Sequence, residues 1–434
     1  MSKRYHGGIW LGLNKRPAID RPVDELSAPA RVVIPLLQHR GESAALCVKK
    51  GDRVQMGQPL GTDVKGISCA AHSSVSGAVY DITEIDHPII GKSVAVVVQN
   101  DGNDAPFGYV PPERDAAKMS PDEIISRIKR VSIASACGPD YPLWARLRRM
   151  ADFHIRTLVL NAVETEPYIC NAQKLIEEDP EQIASGFYAM MKATGCVDAL
   201  LAVSDDYGTE TDDIRKAASL MGYELRLLRV PQKYPSGHEK FLFRVMTGEA
   251  LRDGISPEEM ETGFVYAEDC LGVYMAIRNG TPQITKVVTV AGSAVGNPQV
   301  FEIRIGTSIH DVLERCSLSF EPERVVLGSA MRGTAVDDLH TPVIKPVYAL
   351  LALKSDGKRR QPARCINCGK CAKVCPQGLF PNFIALNAVN ADFGACHELH
   401  IENCIECGSC SYICPGRMPI VELIKNMKKA RVEE

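Results

Sequence analysis

Hydrophobic and polar residues alternate over the first hundred residues, in short runs separated by glycine-rich turns. Examples are Arg31-Val32-Val33-Ile34-Pro35-Leu36 and the valine-rich run at 94–98, and no helical period of comparable length competes with them. Alternation with a period of two is typical of strands that bury one face. We therefore predict a β-domain over residues 1–100.

The pattern changes after a proline-rich interval. Residues 101–121 hold four prolines, which interrupt every periodicity and predict a linker. Ser120-Pro121-Asp122-Glu123 then supplies an N-cap, a proline at the first helical position and a capping box. Helices and strands alternate from there. This order predicts a parallel α/β domain over 122–283, with ligands beyond the carboxyl ends of its strands. The predicted strands lie at 156–160, 199–203 and 224–230, and the predicted helices between them at 180–194 and 211–221.

Short strands return after residue 284. With one helix, predicted at 307–316, they indicate a small β-grasp domain over 284–353. Residues 354–362 are basic and contain no apolar side chain, which predicts a second linker. It leads into a C-terminal domain at 354–434, where cysteines cluster.

Composition and charge limit the possible classes of protein. The chain has 434 residues, 45% of them hydrophobic, which is typical of several folded domains. Its 50 Lys and Arg residues nearly balance 53 Asp and Glu residues, so no global field favours nucleic acid or an anionic membrane. No apolar run reaches the length of a membrane span, and the first residues lack the apolar stretch of a signal peptide. We expect a cytoplasmic protein that recognises its partners locally.

Cysteines carry the strongest chemical signal. Nine of the sixteen follow residue 364, and the other seven are scattered. Thiols stay reduced in the cytoplasm, so the grouped cysteines predict metal ligands, while the scattered ones are expected to be small buried residues.

Two cysteine strings share one spacing. Cys365-x2-Cys368-x2-Cys371-x3-Cys375-Pro376 is repeated from Cys404 to Pro415. Three thiolates of one tight loop bind one corner of a 4Fe–4S cubane, and the fourth ligand crosses to the other cluster. The glycine within each string, Gly369 or Gly408, relieves crowding where the backbone approaches the cluster. The predicted ligands are Cys365, Cys368, Cys371 and Cys414 for the first cluster, and Cys404, Cys407, Cys410 and Cys375 for the second.

Zinc is the alternative metal, because four thiolates also satisfy a tetrahedral zinc ion. Zinc motifs pair two-cysteine knuckles and have no use for the third cysteine and the trailing Cys-Pro, so iron–sulfur clusters are favoured. Cys396 lies between the strings without a matching partner and is predicted to pack rather than to bind metal.

Several strings resemble those of the RnfC family, the peripheral subunits of Rnf ion-translocating NADH:ferredoxin oxidoreductase complexes. Besides the two cysteine strings, they are His6-Gly7-Gly8-Ile9, Ile34-Pro35-Leu36-Leu37-Gln38-His39, His72-Ser73-Ser74-Val75-Ser76-Gly77 and Tyr234-Pro235-Ser236-Gly237-His238-Glu239-Lys240. The resemblance covers nearly the whole chain. It implies a multidomain α+β protein with four domains. They are an N-terminal barrel-sandwich domain, a Rossmann-like domain similar to the flavin subunit of complex I, an SLBB β-grasp domain and a C-terminal ferredoxin domain with two 4Fe–4S clusters.

The resemblance also implies a function: hydride from NADH goes to FMN, and single electrons then leave through the clusters. The family's glycine-rich flavin loop falls on residues 132–142, where only Gly138 and the Tyr141-Pro142 pair are retained. Side chains at the lost glycine positions narrow the space for a phosphate or a flavin ring. Ser132 and Ser135 are candidates to replace the lost amide contacts. Cys137 is a redox group, a bond to a partner or a small buried residue.

A second family string is kept at residues 161–168. Its candidate cofactor-binding residues are Asn161, Glu164 and Glu166, whose side chains are predicted to position flavin or nicotinamide unless they are merely solvated. The glycine string expected in the β-grasp domain is altered to Gly328-Ser329-Ala330-Met331-Arg332-Gly333.

Two functions follow. The first is an NADH-oxidising FMN subunit of an electron transport complex, with other redox subunits as partners, no nucleic acid, and possible peripheral attachment to the cytoplasmic face of a membrane. The second is an electron wire or docking adaptor without flavin, between a ferredoxin or flavoprotein and another reductase. No catalytic residue is assigned. A third class, a carrier domain modified at Lys65, is disfavoured because a carrier lysine belongs at the tip of a tight hairpin.

An amphipathic stripe with a basic end marks the predicted C-terminal helix. Its apolar residues are expected to cover the cysteine-rich domain rather than to dock on a membrane. They are Ile420, Val421, Leu423, Ile424 and Met427.

Overall fold

The computed structural model describes residues 7–432, apart from 89, 109, 114, 135–139, 252–253 and 356–363. Four regions follow one another along the chain, and two short strands from the first thirty residues join later regions. Among the described residues, no helix combines the length and the apolar character that a membrane crossing requires.

The first hundred residues form a β-sandwich. A four-stranded sheet of order β3-β9-β8-β5 shares one core with a three-stranded sheet of order β4-β6-β7. Val32 and Ile34 alternate with exposed or half-buried neighbours, which confirms the period of two. The prediction of strands alone was wrong at α1, where Pro17 lies in the first turn of a short helix. The elements of this region are β1 (Ile9–Trp10), α1 (Arg16–Ile19), β2 (Asp24–Glu25), β3 (Arg31–Pro35), β4 (Ala45–Leu46), β5 (Arg53–Val54), β6 (Pro59–Thr62), β7 (Ala71–His72), β8 (Gly77–His87) and β9 (Gly91–Asn100).

A parallel sheet of order β12-β11-β10-β14 lies at the centre of the next region. Both of its faces are covered. Leu158 and Leu160 of β10 point into a core made with helices α2, α3, α5, α6 and α8, whereas Val159 packs against Phe241 of α7 on the other face. The elements are α2 (Pro121–Arg130), α3 (Leu143–Asp152), β10 (Thr157–Ala162), α4 (Asn171–Glu178), α5 (Pro180–Thr194), β11 (Asp198–Ser204), α6 (Glu210–Leu220), β12 (Leu225–Val230), β13 (Lys233–Tyr234), α7 (Glu239–Thr247), β14 (Thr262–Val265) and α8 (Ala267–Arg278).

The helix boundaries follow local signals. Ser120 accepts a hydrogen bond from Glu123 N and the Glu123 carboxylate accepts one from Ser120 N, which confirms the predicted capping box of α2. Helix α5 begins at Pro180 and ends before Gly195, whose φ of 73° is left-handed. The predicted strands and helices between 156 and 230 agree with the observed ones to within two residues.

The third region is a six-stranded sheet of order β18-β17-β19-β15-β16-β2, with one helix, α9, packed on it. The helix predicted at 307–316 is α9, which is shorter at both ends. It begins after its N-cap residue Ser308 and ends at Arg315. Strand β2 joins this sheet parallel to β16, and β1 pairs with β13, so the N-terminal chain is bound to the third and central regions. The elements are β15 (Thr285–Ala291), β16 (Gln299–Arg304), α9 (Ile309–Arg315), β17 (Arg324–Leu327), β18 (Thr334–Val336) and β19 (Ala349–Leu353).

The C-terminal region consists of short helices around the grouped cysteines. Ile420, Ile424 and Met427 of the last helix are buried against the preceding helices, which confirms that its apolar stripe covers this region. The elements of this region are α10 (Lys370–Val374), α11 (Pro381–Val389), α12 (Phe393–Glu398), α13 (Ser409–Ile413) and α14 (Ile420–Val432). Short 3₁₀ turns also lie at Ala116–Lys118, Glu258–Met260 and Ile401–Asn403, the last of them in this region.

Candidate functional site

The two cysteine strings form two loops of the same shape, which we call the first loop (365–375) and the second loop (404–414). Each begins with a cysteine whose sulfur accepts a 3.4 Å hydrogen bond from the backbone amide two residues on. A glycine with a left-handed φ, 69° at Gly369 and 75° at Gly408, then starts a five-residue helix. The final cysteine of each loop ends that helix in an extended conformation. The shared spacing therefore dictates one local backbone twice.

Each loop sends its last cysteine to the other side. The first cavity is lined by three cysteines of the first loop and by Cys414 of the second. The second cavity is lined by three cysteines of the second loop and by Cys375 of the first. This grouping is the one expected for clusters that exchange their fourth ligands. The ligand assignment made from the sequence stays a prediction, and the cavities support it.

The spacing of the sulfurs tests which metal group fits. Four sulfurs bound to one zinc ion at about 2.3 Å lie only about 3.8 Å apart. Among the residues that the structure describes, no three cysteine sulfurs lie within 4.8 Å of one another. The cavities are therefore too wide for a single zinc ion, and a group with several metal atoms fits them better.

The second cavity faces the rest of the molecule. The Tyr234 hydroxyl donates to the Cys407 carbonyl at 2.6 Å, and Gly8 N donates to Val374 O at 2.8 Å. A Cβ atom on Gly408 would lie 2.9 Å from the carbonyl oxygen of Met331 in the third region. The Tyr234 and Met331 contacts fix the second loop against the central and third regions, and the Gly8 contact fixes the end of the first loop.

The first cavity has an exposed cysteine in its lining. Cys368 is exposed and Cys365 is half-buried, whereas Cys407 and Cys410 in the second cavity are both buried. This difference could not be predicted from the chain, because the two strings have the same spacing.

The altered flavin loop is only partly described. Ser132 is buried, and its hydroxyl donates to the Lys129 carbonyl at the end of α2, at 3.3 Å. Its own carbonyl accepts from Lys345 Nζ at 2.5 Å, and burial lowers the pKa of Lys345 to about 8. Ser132 therefore makes contacts within the protein, which do not need a ligand. Ser135, Cys137 and Gly138 lie outside the described residues.

Asn161 and Glu164 also contact the protein itself. The Asn161 amide donates to Gly237 O at 2.8 Å. The Glu164 carboxylate accepts from Ala172 N at 2.8 Å and from Gln173 N at 3.2 Å, and so caps α4. Burial raises the pKa of Glu164. Asn161 is the penultimate residue of β10 and Glu164 follows the carboxyl end of that strand, and neither side chain is simply solvated.

Glu166 is paired with an arginine from the third region. Its Oε1 atom accepts from Arg332 Nε at 2.9 Å, while its Oε2 atom is shielded from solvent and has no hydrogen-bond partner among the described residues. Arg332 belongs to the altered glycine string. Burial raises the pKa of the Cys407 thiol, and the Arg332 guanidinium nearby opposes that shift. Arg332 thus lies between Glu166 and the second cavity.

Sequence analysis missed a buried arginine. Arg146 on α3 donates to Glu239 and to the Phe264 carbonyl, each at 2.9 Å, and lies 3.4 Å from Asp140. Its partners come from separate elements, so no local motif marks the group. The cluster lies beside the altered flavin loop and holds α3 against the strand ends.

The remaining candidates have structural roles. Lys65 is exposed in the open connection between β6 and β7, consistent with an unmodified lysine. Cys396 is 1% exposed, lines neither cavity and lies 3.6 Å from the Ile384 carbonyl, consistent with packing. Of the scattered cysteines in the described part of the chain, all but Cys47 are buried. For Cys47 the prediction was wrong, because it follows the exposed strand β4.

Three family models match successive parts of the chain. They are the RnfC barrel sandwich hybrid domain at residues 3–103, the Nuo51 FMN-binding domain at 128–280 and the 4Fe-4S dicluster domain at 357–415.

Two curated relatives match over most of their length. The chain is 30% identical over 388 residues to a subunit of the proton-translocating ferredoxin:NAD(+) oxidoreductase complex of Clostridium ljungdahlii, covering 89% of this chain and 84% of the relative. It is 31% identical over 385 residues to the corresponding subunit of the Na(+)-translocating complex of Acetobacterium woodii, covering 88% and 86%.

Solved structures show the same fold at low identity. An NAD+-reducing [NiFe]-hydrogenase in its air-oxidised state superimposes with a TM-score of 0.50 at 18% identity, covering 74% of this chain and 55% of that chain. The H2-reduced form gives a TM-score of 0.50 at 17% identity, covering 74% and 57%.

Proposed function

Because the chain belongs to the RnfC family of oxidoreductase complex subunits, we propose that it carries single electrons through two 4Fe–4S clusters as a peripheral subunit of such a complex. The observation that carries the proposal is the division of eight cysteines between two cavities with exchanged fourth members. The first cluster is assigned to Cys365, Cys368, Cys371 and Cys414, and the second to Cys404, Cys407, Cys410 and Cys375.

The finer architecture is part of the proposal. The parallel sheet with helices on both faces supports a Rossmann-like domain at 122–283, and the six-stranded sheet with α9 supports an SLBB β-grasp domain at 284–353. The barrel-sandwich domain is assigned to 1–100, the linker to 101–121 and the cluster domain to 354–434.

The electron donor and the site where electrons enter form a separate part of the proposal. Relatives are named as ferredoxin:NAD(+) oxidoreductase subunits, so we propose NADH as donor and a cytoplasmic-face position in the complex. FMN, when bound, would accept two electrons and release them singly. Within the proposed site, the unpaired Oε2 atom of Glu166 is the described polar atom best placed to accept a hydrogen bond from a ligand. Ser132, Ser135, Gly138, Asn161 and Glu164 complete the candidate set.

A specific observation favours the second candidate function, an electron wire without flavin. Asn161, Glu164 and Ser132 are already held by protein partners, and Glu166 is paired with Arg332. With these contacts in place, electrons would enter from a ferredoxin or flavoprotein rather than from NADH.

One measurement separates the two functions. The protein is purified without oxygen, reconstituted with iron and sulfide, and supplied with FMN. NADH is then added while the broad visible absorption of the clusters is followed, with dithionite as the positive control. Bleaching by NADH establishes the NADH-oxidising subunit, whereas bleaching by dithionite alone establishes the wire.

Flavin binding is measured in parallel, from the flavin released after the protein is denatured. Glu166→Gln should lower flavin retention if this carboxylate contacts the cofactor. The matched control is Glu84→Gln, which removes an exposed carboxylate from the β-sandwich. Equal retention in both variants would exclude Glu166 from the flavin site. Absence of iron and of cluster absorption in the reconstituted protein would refute the proposal as a whole.

A further inference from the structure

We propose that helix α9 and the segment at 338–342 hold a binding site for a divalent transition metal ion of the zinc class. The ligands are His310, Asp311, Glu314 and His340, which all line one cavity beside the third region. This cavity shares no residue with the lining of either cysteine cavity. The metal site is therefore separate from the clusters, and the inference goes beyond the proposed function.

Three of the ligands lie on one helix. His310 and Glu314 are four residues apart on α9, so they share a face of the helix, and Asp311 follows His310. One ring nitrogen of His310 and one carboxylate oxygen from each acidic residue lie within 4.8 Å of one another. Among the described residues, no other three histidine, cysteine, aspartate or glutamate side chains bring their ligand atoms so close together. The helix thus collects three metal-binding groups at one point.

A second histidine is held beside the helix. The backbone amide of His310 donates to Leu339 O at 2.9 Å, which ties the segment at 338–342 to α9. The Asp338 carboxylate accepts from the backbone amide of His340 at 2.8 Å. The imidazole rings of His310 and His340 are stacked, with centroids 6.2 Å apart. The fourth ligand therefore comes from outside the helix and is positioned by backbone contacts.

The distances fit a single small ion. Ligand atoms bound to one zinc ion at about 2.1 Å lie about 3.4 Å apart. His310 Nδ1 lies 3.6 Å from Asp311 Oδ1, which is close to that spacing. His310 and Glu314 are exposed, so rotation about their side-chain bonds is enough to bring the other ligand atoms together.

The donor set selects the class of metal. Imidazole nitrogens are typical ligands of zinc, copper and nickel, whereas calcium and magnesium take oxygen ligands. Asp311 and Glu314 supply two negative charges, which a divalent ion balances. The neighbouring cation Arg315 lies 3.5 Å from Asp24 and is engaged by that carboxylate. Two imidazoles with two carboxylates therefore favour an ion of the zinc class.

The cavity gives the ion access and a structural role. It has a volume of about 900 Å³ and is lined from the β-sandwich side by Arg31 and Val97, among others. Arg31 donates to Gln99 at 2.6 Å and so has a partner of its own. An ion that enters from the cavity joins α9 to the segment at 338–342. We expect it to stabilise the third region, because a ligand that binds only the folded chain opposes unfolding.

The test uses zinc chloride as the probe. The reconstituted full-length chain is dialysed against zinc without oxygen, and bound zinc is measured by elemental analysis, while the iron content and cluster absorption show that the clusters stay intact. The wild type should bind about one zinc ion at this site, with nitrogen and oxygen neighbours at about 2.1 Å in X-ray absorption. Sulfur neighbours at about 2.3 Å would place the ion on cysteines and overturn the proposal.

Two variants remove the ligands in different ways. His310→Gln with His340→Gln should weaken zinc binding at least about tenfold, because loss of a group that only supports a metal ligand already costs about 10- to 100-fold. Asp311→Asn with Glu314→Gln keeps the size of the side chains and should have a similar effect. Magnesium or calcium at the concentration of the zinc should not displace it from the wild type.

The matched control removes two exposed histidines outside the site, at positions 154 and 397. Asparagine replaces His154, whose φ is 51°, since asparagine tolerates the left-handed conformation, and glutamine replaces His397. This variant should bind zinc as the wild type does. Zinc should also raise the midpoint of anaerobic unfolding in the wild type and the control, but not in the two ligand variants.

The outcomes separate this site from the clusters. Intact clusters without bound zinc, or equal zinc binding by the wild type and both ligand variants, would refute the metal site alone. A chain that binds zinc through nitrogen and oxygen but holds no iron after reconstitution would refute the proposed function alone. The X-ray absorption spectrum of the wild type decides the metal site even if a variant fails to fold.

Discussion

The two cysteine loops are the same locally and differ in their surroundings. Both place a positive-φ residue before the second cysteine, Asn367 at 52° and Glu406 at 54°, and both start a five-residue helix at a glycine. The second loop lies against the central and third regions through Tyr234 and Met331, whereas the first loop contacts the N-terminal chain at its end and leaves Cys368 exposed. One spacing thus specifies a loop that holds a cluster, and the tertiary contacts decide what each cluster faces.

This difference bears on function because the potential of a cluster depends on its hydrogen bonds, nearby charges and solvent exposure. The second cavity is surrounded by Arg332, by Lys428, which donates to the Cys404 carbonyl at 2.6 Å, and by buried apolar side chains. The first has an exposed cysteine, Cys368, and two basic side chains, Arg364 and Lys370, in its lining. Two clusters with one ligand set are therefore expected to have different potentials.

The largest expected effect tests the exchange of ligands between the loops. Cys414→Ala should remove the first cluster and Cys375→Ala the second, so each variant should retain about four of about eight iron atoms. The electron paramagnetic resonance spectrum of Cys414→Ala should match that of Cys368→Ala and differ from that of Cys407→Ala. A Cys414→Ala spectrum that matches Cys407→Ala would mean that each loop supplies its own fourth ligand.

The glycine of each loop tests the difference in packing. Gly369→Ala and Gly408→Ala both force alanine into a left-handed conformation, at about 1 kcal/mol each. Only at Gly408 would the new Cβ lie 2.9 Å from the Met331 carbonyl, whereas no described atom lies within 4 Å of a Cβ at Gly369. The Gly408→Ala protein should lose about twice the stability or more, measured as the midpoint of anaerobic thermal unfolding. Equal shifts would show that the second loop is not held by the third region.

The charge of Arg332 tests the difference in potential. Arg332→Met removes a cation beside the second cavity and should lower the potential of that cluster by roughly 50 mV, which corresponds to about 1 kcal/mol for one electron. Glu166→Gln removes the opposing charge and should shift the same potential upward. The first cluster should keep its potential in both variants, followed by redox titration. A shift shared by the two clusters would contradict a local effect.

The smallest effect is a pH dependence. His238 lies near Arg332, Lys240 and Lys428, and burial, followed by these cations, lowers its pKa to about 3. The imidazole is then neutral in the folded protein but takes up a proton on unfolding below about pH 6.5, so stability is lost as the pH falls. Between pH 7.5 and 5.5 we expect a loss of at most about 1.4 kcal/mol.

The histidine variants isolate this contribution. His238→Gln should flatten the fall in the unfolding midpoint between pH 7.5 and 5.5. His397→Gln, which removes an exposed histidine from α12, should leave the fall unchanged. If His238→Gln leaves the pH profile of the wild type intact, His238 is protonated as readily in the folded chain as in the unfolded one.

Secondary structure was predicted best where a local signal exists. The capping box at Ser120, the end of α5 before Gly195 and the alternation in β3 all depend on residues close in the chain, and all are observed. The pairing of β2 with the sheet of the third region was not predicted, because its partner β16 lies more than 250 residues away in the sequence. Local pattern carries no information about such pairing.

The candidate flavin residues show the same limit. The sequence marked Glu164 and Glu166 as carboxylates at a strand end, and they do stand there. It could not show that Glu164 caps α4 or that Glu166 is paired with Arg332, since the partners belong to other elements. The cluster around Arg146 was missed for the same reason.

By itself, the sequence determined the chemistry of the C-terminal region and the shape of its two loops. Cysteine spacing, glycine and proline act over a few residues, so their effect can be predicted from the local sequence. The tertiary structure decided that the second loop packs against the central and third regions, and that Arg332 reaches Glu166. These outcomes depend on packing between segments that are far apart in the sequence. The neighbours that set burial and charge there cannot be identified from the local sequence.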